Sequence, residues 1–573
     1  MVRRFWWLAA FAAVGCMQQQ VRSQKPEAEP ERETEIRTVG DLTTVSNAAP
    51  IPVIGVGLVT HLNATGGGVP PGNERAQLEN ELKKLEVTNI NELFTSKTTS
   101  LVRVSATIPP GARKGEAVDI FVSVPDYSRT TSLRGGKLLA CYLYSFESSQ
   151  NISNDPNRAD RLLRGHPMVK AEGLVLSGMP IGPDDDQPSQ RAGKIWGGGK
   201  VTIQDRPFIL EVNPPSVKTA VGIAERINET FHGPGSSAAP IATAKNDTHI
   251  VLNVPGTYRL NMGRFLRVVR LIPLEETPKM DAAYVQRQVK QLTDPATCIT
   301  AALRLEALGP QVQPALKMAL ASEESMVRFA AAESLAYLGS PSCAEELAKQ
   351  AADSPLVQAY ALTALASLNE SVCRVKLQEL MAAPVPEVRY GAFRALRTLD
   401  DRDPAVAAEE INKSFWLHRV ATESSPQIHV ATGKRPEVVL FGSSPAINGP
   451  VAILAGSDFT LTAKEGEDFC TLSRFSVRTG KQSRKCSLEL AEVMKALGEL
   501  GGDYADALEL LRQCESSRAL NCAVKFDALP KAPTVHELAK NSAAIRGKGG
   551  DVGPGPSLYD STGNTSAVFG GPH

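Results

Sequence analysis

The stretch LVRVSATIPPGARKGEAVDIFVSV, residues Leu101 to Val124, decides the fold class of the first half of the chain. Its second run places an apolar residue at every alternate position from Val118 to Val124, which is the period of a strand with one buried face. The prolines and glycine between the two runs are typical of a turn. The stretch therefore predicts two neighbouring strands joined by a turn.

Similar short β-rich runs continue on both sides, from about residue 43 to residue 273. They are broken by Gly and Pro, and they include KLLACYLY, GLVLSG, HIVLNV and FLRVVRLI. Two amphipathic helices interrupt them. Their expected apolar faces are Leu78, Leu82 and Leu85 in residues 73–87, and Val217, Val221, Ala224 and Ile227 in residues 216–231. We therefore expect an α+β region, mixed and β-rich, over 41–274, with a second such region over 411–530.

An Ala- and Leu-rich repeat lies between these two regions. Four segments, AALRLEALG, AAESLAYLG, ALTALASLN and AFRALRTLD, end at Gly309, Gly339, Asn369 and Asp400, and their leucines fall in step at Leu305, Leu335, Leu365 and Leu396. A period of about 30 residues with two short helices per unit is typical of a stacked α-solenoid, because one helix pair cannot bury its own apolar face. We interpret residues 293–410 as an all-α HEAT-like solenoid insertion, with 275–292 as a linker.

The totals favour several domains and exclude a nucleic-acid binder. The chain has 573 residues, with 62 Lys plus Arg against 62 Asp plus Glu. This balance gives no overall field that would attract a polyanion.

The N-terminus carries a targeting signal. Arg3 and Arg4 precede an apolar run over residues 5–14 that is too short to span a bilayer, and Gly15 and Cys16 follow. This arrangement resembles the lipobox of bacterial lipoproteins, which implies a signal peptide over 1–15, a lipid on Cys16 and attachment to a membrane, expected to be the outer membrane. An ordinary cleaved signal peptide with an incidental cysteine is the alternative. We interpret the charged residues 16–40 as a tether. The Gly-, Ser- and Pro-rich residues 531–573 are expected to form a disordered tail.

The residue patterns give little support for a metal site, a cofactor site or a catalytic site. The eight histidines are scattered, without an HExxH motif, and no cysteine lies in a CxxC pattern. In an oxidising compartment Cys470, Cys486, Cys514 and Cys522 could form one or two disulfides, whose pairing the sequence leaves open. We expect no metal, no cofactor and no enzyme activity, and an envelope hydrolase is disfavoured because a nucleophile, base or metal constellation is lacking.

The glycine-rich stretch IPVIGVGLVTHLNATGGG, residues Ile51 to Gly68, is not a nucleotide loop. A dinucleotide fingerprint needs a third glycine three residues after Gly57, where Thr60 stands. A phosphate-binding P-loop needs Gly-Lys-Ser/Thr, which does not follow Gly68.

The same stretch resembles the glycine-rich N-terminal motif of the bacterial flagellar P-ring protein family. Three further blocks agree in order: the opening stretch with SLRGGKLLACYL, then FILEVNPPSVKTAVGIAERIN, then the helix pair of LAEVMKALGELGGDYADALELLRQCESSRALNCAVKF. The resemblance covers roughly residues 41–273 and 426–530 and leaves out the repeat. It implies a structural subunit of a homo-oligomeric periplasmic ring around the flagellar rod, with rod and L-ring proteins as partners. The lipid anchor and the insertion depart from the family pattern.

The candidate site residues are turn and assembly positions, and two interpretations stay open for each group. Gly55, Gly57 and the run Gly66, Gly67 and Gly68 either shape a tight turn or form a surface against the rod. Arg134, Gly135 and Gly136 either form a turn alone or lie at a subunit boundary, where the guanidinium would bridge to a neighbour's carboxylate or carbonyl.

Two functions follow for the whole chain. The first is the ring subunit, to which the solenoid would add a surface for an unknown protein partner. The alternative is a lipid-anchored envelope scaffold or binding module that uses the repeats and is not part of a flagellum.

Overall fold

The computed structural model describes residues 36–148, 162–178, 189–232, 238–274, 278–431, 435–455, 458–476 and 480–533. The expected signal peptide, Cys16, most of the expected tether and nearly all of the expected tail lie outside these residues. Of the helices within them, none is long and apolar enough to cross a membrane.

Strands predominate in the first and last parts of the described chain, and helices occupy the middle from residue 278 to residue 399. The strands are β1 Thr43–Ser46, β2 Ile51–Thr60, β3 Ser100–Ile108, β4 Ala117–Ser123, β5 Lys137–Ser148, β6 Leu162–Leu174, β7 Leu176–Ser177, β8 Ala192–Val201, β9 Phe208–Val212, β10 Ala242–Ala244, β11 His249–Leu252, β12 Ala408–Ile411, β13 Phe415–Val420, β14 Gln427–Ala431, β15 Glu437–Phe441, β16 Val451–Ala455, β17 Phe459–Ala463, β18 Phe469–Ser476, β19 Gly480–Ser487 and β20 Ala523–Phe526. The helices are α1 Val39–Leu42, α2 Asn73–Lys84, α3 Ile90–Thr95, α4 Val217–His232, α5 Met262–Leu271, α6 Pro278–Leu292, α7 Cys298–Glu306, α8 Gln313–Ala319, α9 Ser325–Tyr337, α10 Ala344–Asp353, α11 Gln358–Ser367, α12 Ser371–Leu380, α13 Pro386–Leu399, α14 Leu490–Glu499 and α15 Tyr504–Ser516. The α+β class expected from the sequence is confirmed.

An antiparallel barrel is built around the two strands of the opening stretch. Its strands follow one another in the order β4, β3, β2, β5, β6 and β8, and β8 pairs back to β4. The predicted alternation on β4 is confirmed, because Val118, Ile120 and Val122 are buried in the barrel core. Helices α2 and α3 cover the outside of β2 with Leu78, Leu82 and Phe94. Closure leaves no strand of the circle with a free edge.

A smaller sheet, in the order β1, β9, β11 and β10, packs against α4 and α5. The buried face of α4 includes Ala220, Ile223, Ala224 and Ile227, at helical spacings of three and four residues. The expected face was therefore right for Ala224 and Ile227. It was wrong for Val217 and Val221, which are exposed.

The run FLRVVRLI, expected to continue the β-rich texture, is helical and lies in α5. The Asn261 side chain caps the helix by accepting a 3.1 Å hydrogen bond from the Arg264 amide. Phe265, Val268 and Val269 are buried at helical spacing. The apolar run was too short to separate strand from helix by period, and the cap at Asn261 was the missed signal.

The helices from α6 to α13 form two rows. In the inner row, α9 contacts both α7 and α11, and α11 contacts α13; in the outer row, α6 contacts α8, and α10 contacts α12. The in-step leucines of the repeat are all fully buried, and they are Leu305, Leu335, Leu365 and Leu396. This packing is what a stacked repeat requires, and assignment to the HEAT type stays a prediction.

A shared arginine contact supports the equivalence of two repeat units. Arg328 donates from Nη1 to the Ser322 carbonyl at 2.9 Å. Arg389 donates from Nε to the Ala383 carbonyl at 2.8 Å, which is again six residues earlier in the chain. In each unit the guanidinium thus holds the turn before its own helix.

The helical segment shares its core with its neighbours on both sides. One hydrophobic cluster joins residues of β9, β11, α4 and α5 to the helices α7–α13 and to Val439 and Phe441 of β15. The expected linker, 275–292, contains α6, and Leu292 at its end is buried. The domain limits stay a prediction, but the packing differs from that of a separately folded insertion on a flexible linker.

Buried charges join α5 to the first inner helices, in a group we name the Arg264 cluster: Arg264, Glu306 of α7 and Glu333 of α9. The guanidinium lies 2.6 Å from Glu306 Oε2 and 2.7 Å from Glu333 Oε2. Tyr258 donates a 2.7 Å hydrogen bond to the other oxygen of Glu306. Among the residues that the structure describes, the second oxygen of Glu333 has no hydrogen-bond partner. Burial raises the pKa of Glu333 above its ordinary value, although Arg264 opposes the shift.

The C-terminal region combines two sheets with two helices. One sheet has the order β12, β13, β15, β14, β20, and the other the order β16, β17, β18, β19. Helices α14 and α15 share a core with both sheets, and Leu176 of β7 enters that core from the barrel side. The C-terminal region therefore touches the barrel as well as the helical segment.

A second buried group, the Glu437 cluster, joins this region to the last inner helix. Glu437 of β15 pairs with Arg397 of α13 and accepts a 2.5 Å hydrogen bond from the Tyr390 hydroxyl of the same helix. Burial alone would raise the pKa of Glu437, but Arg397 and the hydrogen bonds hold it well below its usual range. His429 of β14 stacks on Tyr390 with 3.4 Å between ring centroids, and burial lowers its pKa to about 3.

We expect Arg264→Met and Glu333→Gln to differ sharply in their effect on the free energy of unfolding. Arg264→Met leaves two buried carboxylates without a cation and should cost about 3–5 kcal/mol. Glu333→Gln removes a carboxylate whose ionised form is disfavoured by burial. It should therefore lower the free energy of unfolding by less than half of the loss expected for Arg264→Met. Urea unfolding of both variants measures the difference, and equal losses would contradict the assigned roles.

The difference in stability between the Glu333→Gln variant and wild type should also depend on pH. Because the folded pKa of Glu333 is raised above its unfolded value, the stability that this group contributes is complete at low pH. It is lost as the pH rises through the folded pKa, so the stability of the variant relative to wild type should improve as the pH rises above the ordinary range of a carboxyl group.

The cysteines suggest one specific disulfide. Cys470 and Cys486 face each other on β18 and β19 with 3.4 Å between their sulfurs, and both are free thiols in this structure. Oxidation by a small disulfide reagent should therefore remove two thiols, counted after unfolding. Cys470→Ser should abolish this loss and Cys298→Ser should not, whereas a loss that survives Cys470→Ser would rule out the pair.

Candidate functional site

The glycines of β2 are positions of close packing. A Cβ on Gly57 would lie 2.7 Å from Leu138 Cδ1 and 3.0 Å from Val104 Cγ2, inside the barrel. A Cβ on Gly55 would lie 2.6 Å from the Tyr142 carbonyl oxygen of β5. The missing side chains thus let β2 lie directly against its neighbour and the barrel core.

The amides of Gly66, Gly67 and Gly68 are all used within the chain. They donate to the Lys97 carbonyl at 2.9 Å, the Thr130 hydroxyl at 2.9 Å and the Thr99 carbonyl at 3.0 Å, respectively. Gly68 has φ +67°, which favours glycine. Amides engaged in this way cannot cradle a phosphate, which agrees with the missing nucleotide motif.

The two glycine motifs meet at one end of the barrel. The Thr65 hydroxyl donates to the Ser132 carbonyl at 2.8 Å, and the Thr131 amide donates to the Thr65 carbonyl at 2.9 Å. A Cβ on Gly136 would lie 2.8 Å from Leu62 Cδ2 and closer still to Val59 Cγ1. Gly135 has φ +71° in the turn. The structure therefore brings together residues that are about 70 positions apart in sequence, which we name the glycine junction (residues 59–68 and 129–136).

Arg134 points from the glycine junction to the C-terminal region of the same chain. Its guanidinium pairs with Asp506 in the first turn of α15. Asp503 caps that helix: its side chain accepts from the Asp506 amide at 3.0 Å, and the Asp506 side chain accepts from the Asp503 amide at 2.9 Å. Burial raises the pKa of Asp503, and Arg134 opposes that shift. In this structure a carboxylate of the same chain thus pairs with Arg134. Whether the turn also lies at a subunit boundary stays a prediction.

The buried ionisable residues of the Glu437 cluster lie inside the packed core. The His418 ring lies 3.7 Å from the Glu437 carboxylate, but both residues are buried in the junction between α13 and the sheet. Within the described ranges, no group of three or more His, Cys, Asp and Glu side chains is placed to hold a metal ion. The buried groups of the Glu437 cluster therefore join α13 to the sheet.

Sequence patterns alone do not identify the partner of Arg134. The local signal was present, because Asp503 and Asp506 have the three-residue spacing of a capping box at the start of a helix. That spacing predicts the helix start, but which guanidinium reaches its first turn depends on how the barrel docks. Cys16 lies outside the described residues, so its role stays a prediction.

Comparison with known proteins supports the resemblance given above. Residues 38–151, from α1 past the end of β5, match the family model described as Flagellar P-ring protein. The chain is 26% identical over 241 residues to the flagellar P-ring protein of Geobacter metallireducens, covering 40% of this chain and 59% of that protein. It is 29% identical over 248 residues to the Thermotoga maritima protein (41% and 66%) and 24% identical over 248 residues to the Helicobacter pylori protein (42% and 63%). The chain therefore spans 59% to 66% of the length of these relatives.

We expect Gly136→Ala to destabilise the barrel, because its Cβ would overlap Val59 and Leu62 at the glycine junction. The free energy of unfolding should fall by about 1–3 kcal/mol, the usual cost of overpacking. Gly256→Ala is a matched control, since a Cβ there meets no atom within 4 Å. Thermal unfolding of both variants measures the effect, and equal melting temperatures would contradict the packing role.

Proposed function

We propose, from the relationship of this chain to the flagellar P-ring protein family, that it is a structural subunit of a periplasmic ring around the flagellar rod. The observation that carries the proposal is the family match over residues 38–151, which includes both halves of the glycine junction. The role is that of a bushing in the basal body, in which no bond is made or broken.

The contacts suit a subunit that has to resist mechanical force. The barrel has no free edge in its circle, Arg134 ties it to α15, and the Glu437 cluster ties the C-terminal sheet to the helical segment. Copies would associate through repeated head-to-tail contacts, which close into a ring when the rotation between subunits allows it. Rod and L-ring proteins are the proposed partners on either side of the ring.

The helical segment would add a surface for a further protein. Its inner row is covered by the rest of the chain, so the surface left for a partner is the outer row. Val372 and Val375 of α12 and Met318 of α8 are exposed there. Attachment of the ring to the outer membrane through Cys16 belongs to the same proposal and rests on the sequence of residues 1–16.

Purified basal bodies test the proposal. We expect the chain to copurify with the rod, and we expect the periplasmic ring to be missing from basal bodies of cells that lack the gene. Complementation with the wild-type chain should restore the ring and provides the control. Flagellated cells whose basal bodies contain an intact ring but none of this chain would refute the proposal.

A further inference from the structure

The last described residues, 528–533, form a segment that we name the C-terminal strap. The strap leaves the sheet after β20, where Asp527 still donates its amide to the Val430 carbonyl at 3.0 Å. Asp527 has φ +44°, so the chain turns at a residue in the left-handed region. From this turn the strap crosses the inner row of the helical segment.

The strap lies in a groove that fits it closely. Pro530 is buried, and a Cβ on Gly391 of α13 would lie 2.7 Å from its Cγ and 2.8 Å from Leu362 Cδ1 of α11. Tyr360 of α11 donates a 2.6 Å hydrogen bond to the Pro533 carbonyl. Leu529 and Ala532 are half-buried against the same core. The groove therefore recognises an extended, proline-containing apolar segment.

The position of the strap matters for its function. The strap follows the left-handed turn at Asp527 and reaches a groove built by other elements of the chain. A segment of this kind can be exchanged between identical chains at low cost, because the same contacts form in either arrangement. A head-to-tail ring needs two different complementary surfaces on each copy, and the strap and its groove are such a pair.

We propose that the groove between α11 and α13 is a subunit contact, filled in the assembled ring by the C-terminal strap of a second copy. The free subunit holds its own strap in the groove, as this structure shows, and assembly exchanges it. This inference deepens the proposed self-association and rests on it. Gly391 is the residue that sets the fit, since any side chain there occupies the place of Pro530.

Two matched glycine variants of the full chain test the groove. Gly391→Ala should displace the strap while favouring the helix, and cleavage by trypsin after Lys531 should become about tenfold faster. Gly222→Ala of α4 offers the same gain in helix propensity with no atom within 4 Å of the new Cβ, and should leave the cleavage rate unchanged. Equal rates in both variants would overturn the assigned groove.

Isotope mixing tests the exchange. Full chains carrying photoreactive benzoylphenylalanine in place of Tyr360 are prepared in nitrogen-14 and nitrogen-15 forms, mixed, incubated and irradiated. Crosslinks between position 360 and the strap should include mixed-isotope pairs, and these should become rare when Gly391→Ala is added. If every crosslink joins two segments of the same isotope, at all protein concentrations tested, the proposed exchange is wrong. That failure is distinct from failure of the flagellar role, which is read from basal bodies and not from the purified chain.

Discussion

The buried guanidinium of Arg264 is the constraint on which the position of the helical segment depends. It leaves water only because Glu306 and Glu333 lie 2.6 and 2.7 Å away on two different helices. A buried charge without its partners is costly, so packing arrangements of α5, α7 and α9 that separate these three side chains are disfavoured. The apolar surfaces of these helices are less selective, because Leu- and Ala-rich faces tolerate small shifts that a charge network does not.

The Glu437 cluster constrains the position of the other end of the helical segment. Glu437 is buried on β15 and takes its compensating charge from Arg397 on α13. The Arg134 contact to Asp506 joins the barrel to the C-terminal region. The Glu437 cluster joins the C-terminal region to the helical segment, and the Arg264 cluster joins the helical segment to α5, which packs with the first sheet. The helical segment therefore lies between two β-rich regions and shares one hydrophobic core with both of them.

The glycine junction shows how far the motifs could be read from sequence. Glycines in Gly-x-Gly and Gly-Gly-Gly patterns predicted unusual backbone geometry, and the missing third glycine and lysine excluded a nucleotide. The structure adds that the amides of Gly66, Gly67 and Gly68 donate within the chain, and that Gly136 packs against Val59 and Leu62. This pairing joins residues far apart in sequence, and local patterns carry no information on such contacts.

The sequence by itself determined the elements with clear periodicity: the alternating strand β4, the leucines of the repeat and the helical faces built on Leu78 and Leu82. It misassigned FLRVVRLI and the exposed side of α4, because short apolar runs fit more than one period or face. The tertiary structure alone decided that the repeat shares a core with both neighbours, that Arg134 reaches Asp506, and that the strap lies on Gly391. Each of these contacts forms between two surfaces from different parts of the chain. The free energy of such a contact is a property of both surfaces together, so it cannot be inferred from either sequence segment alone.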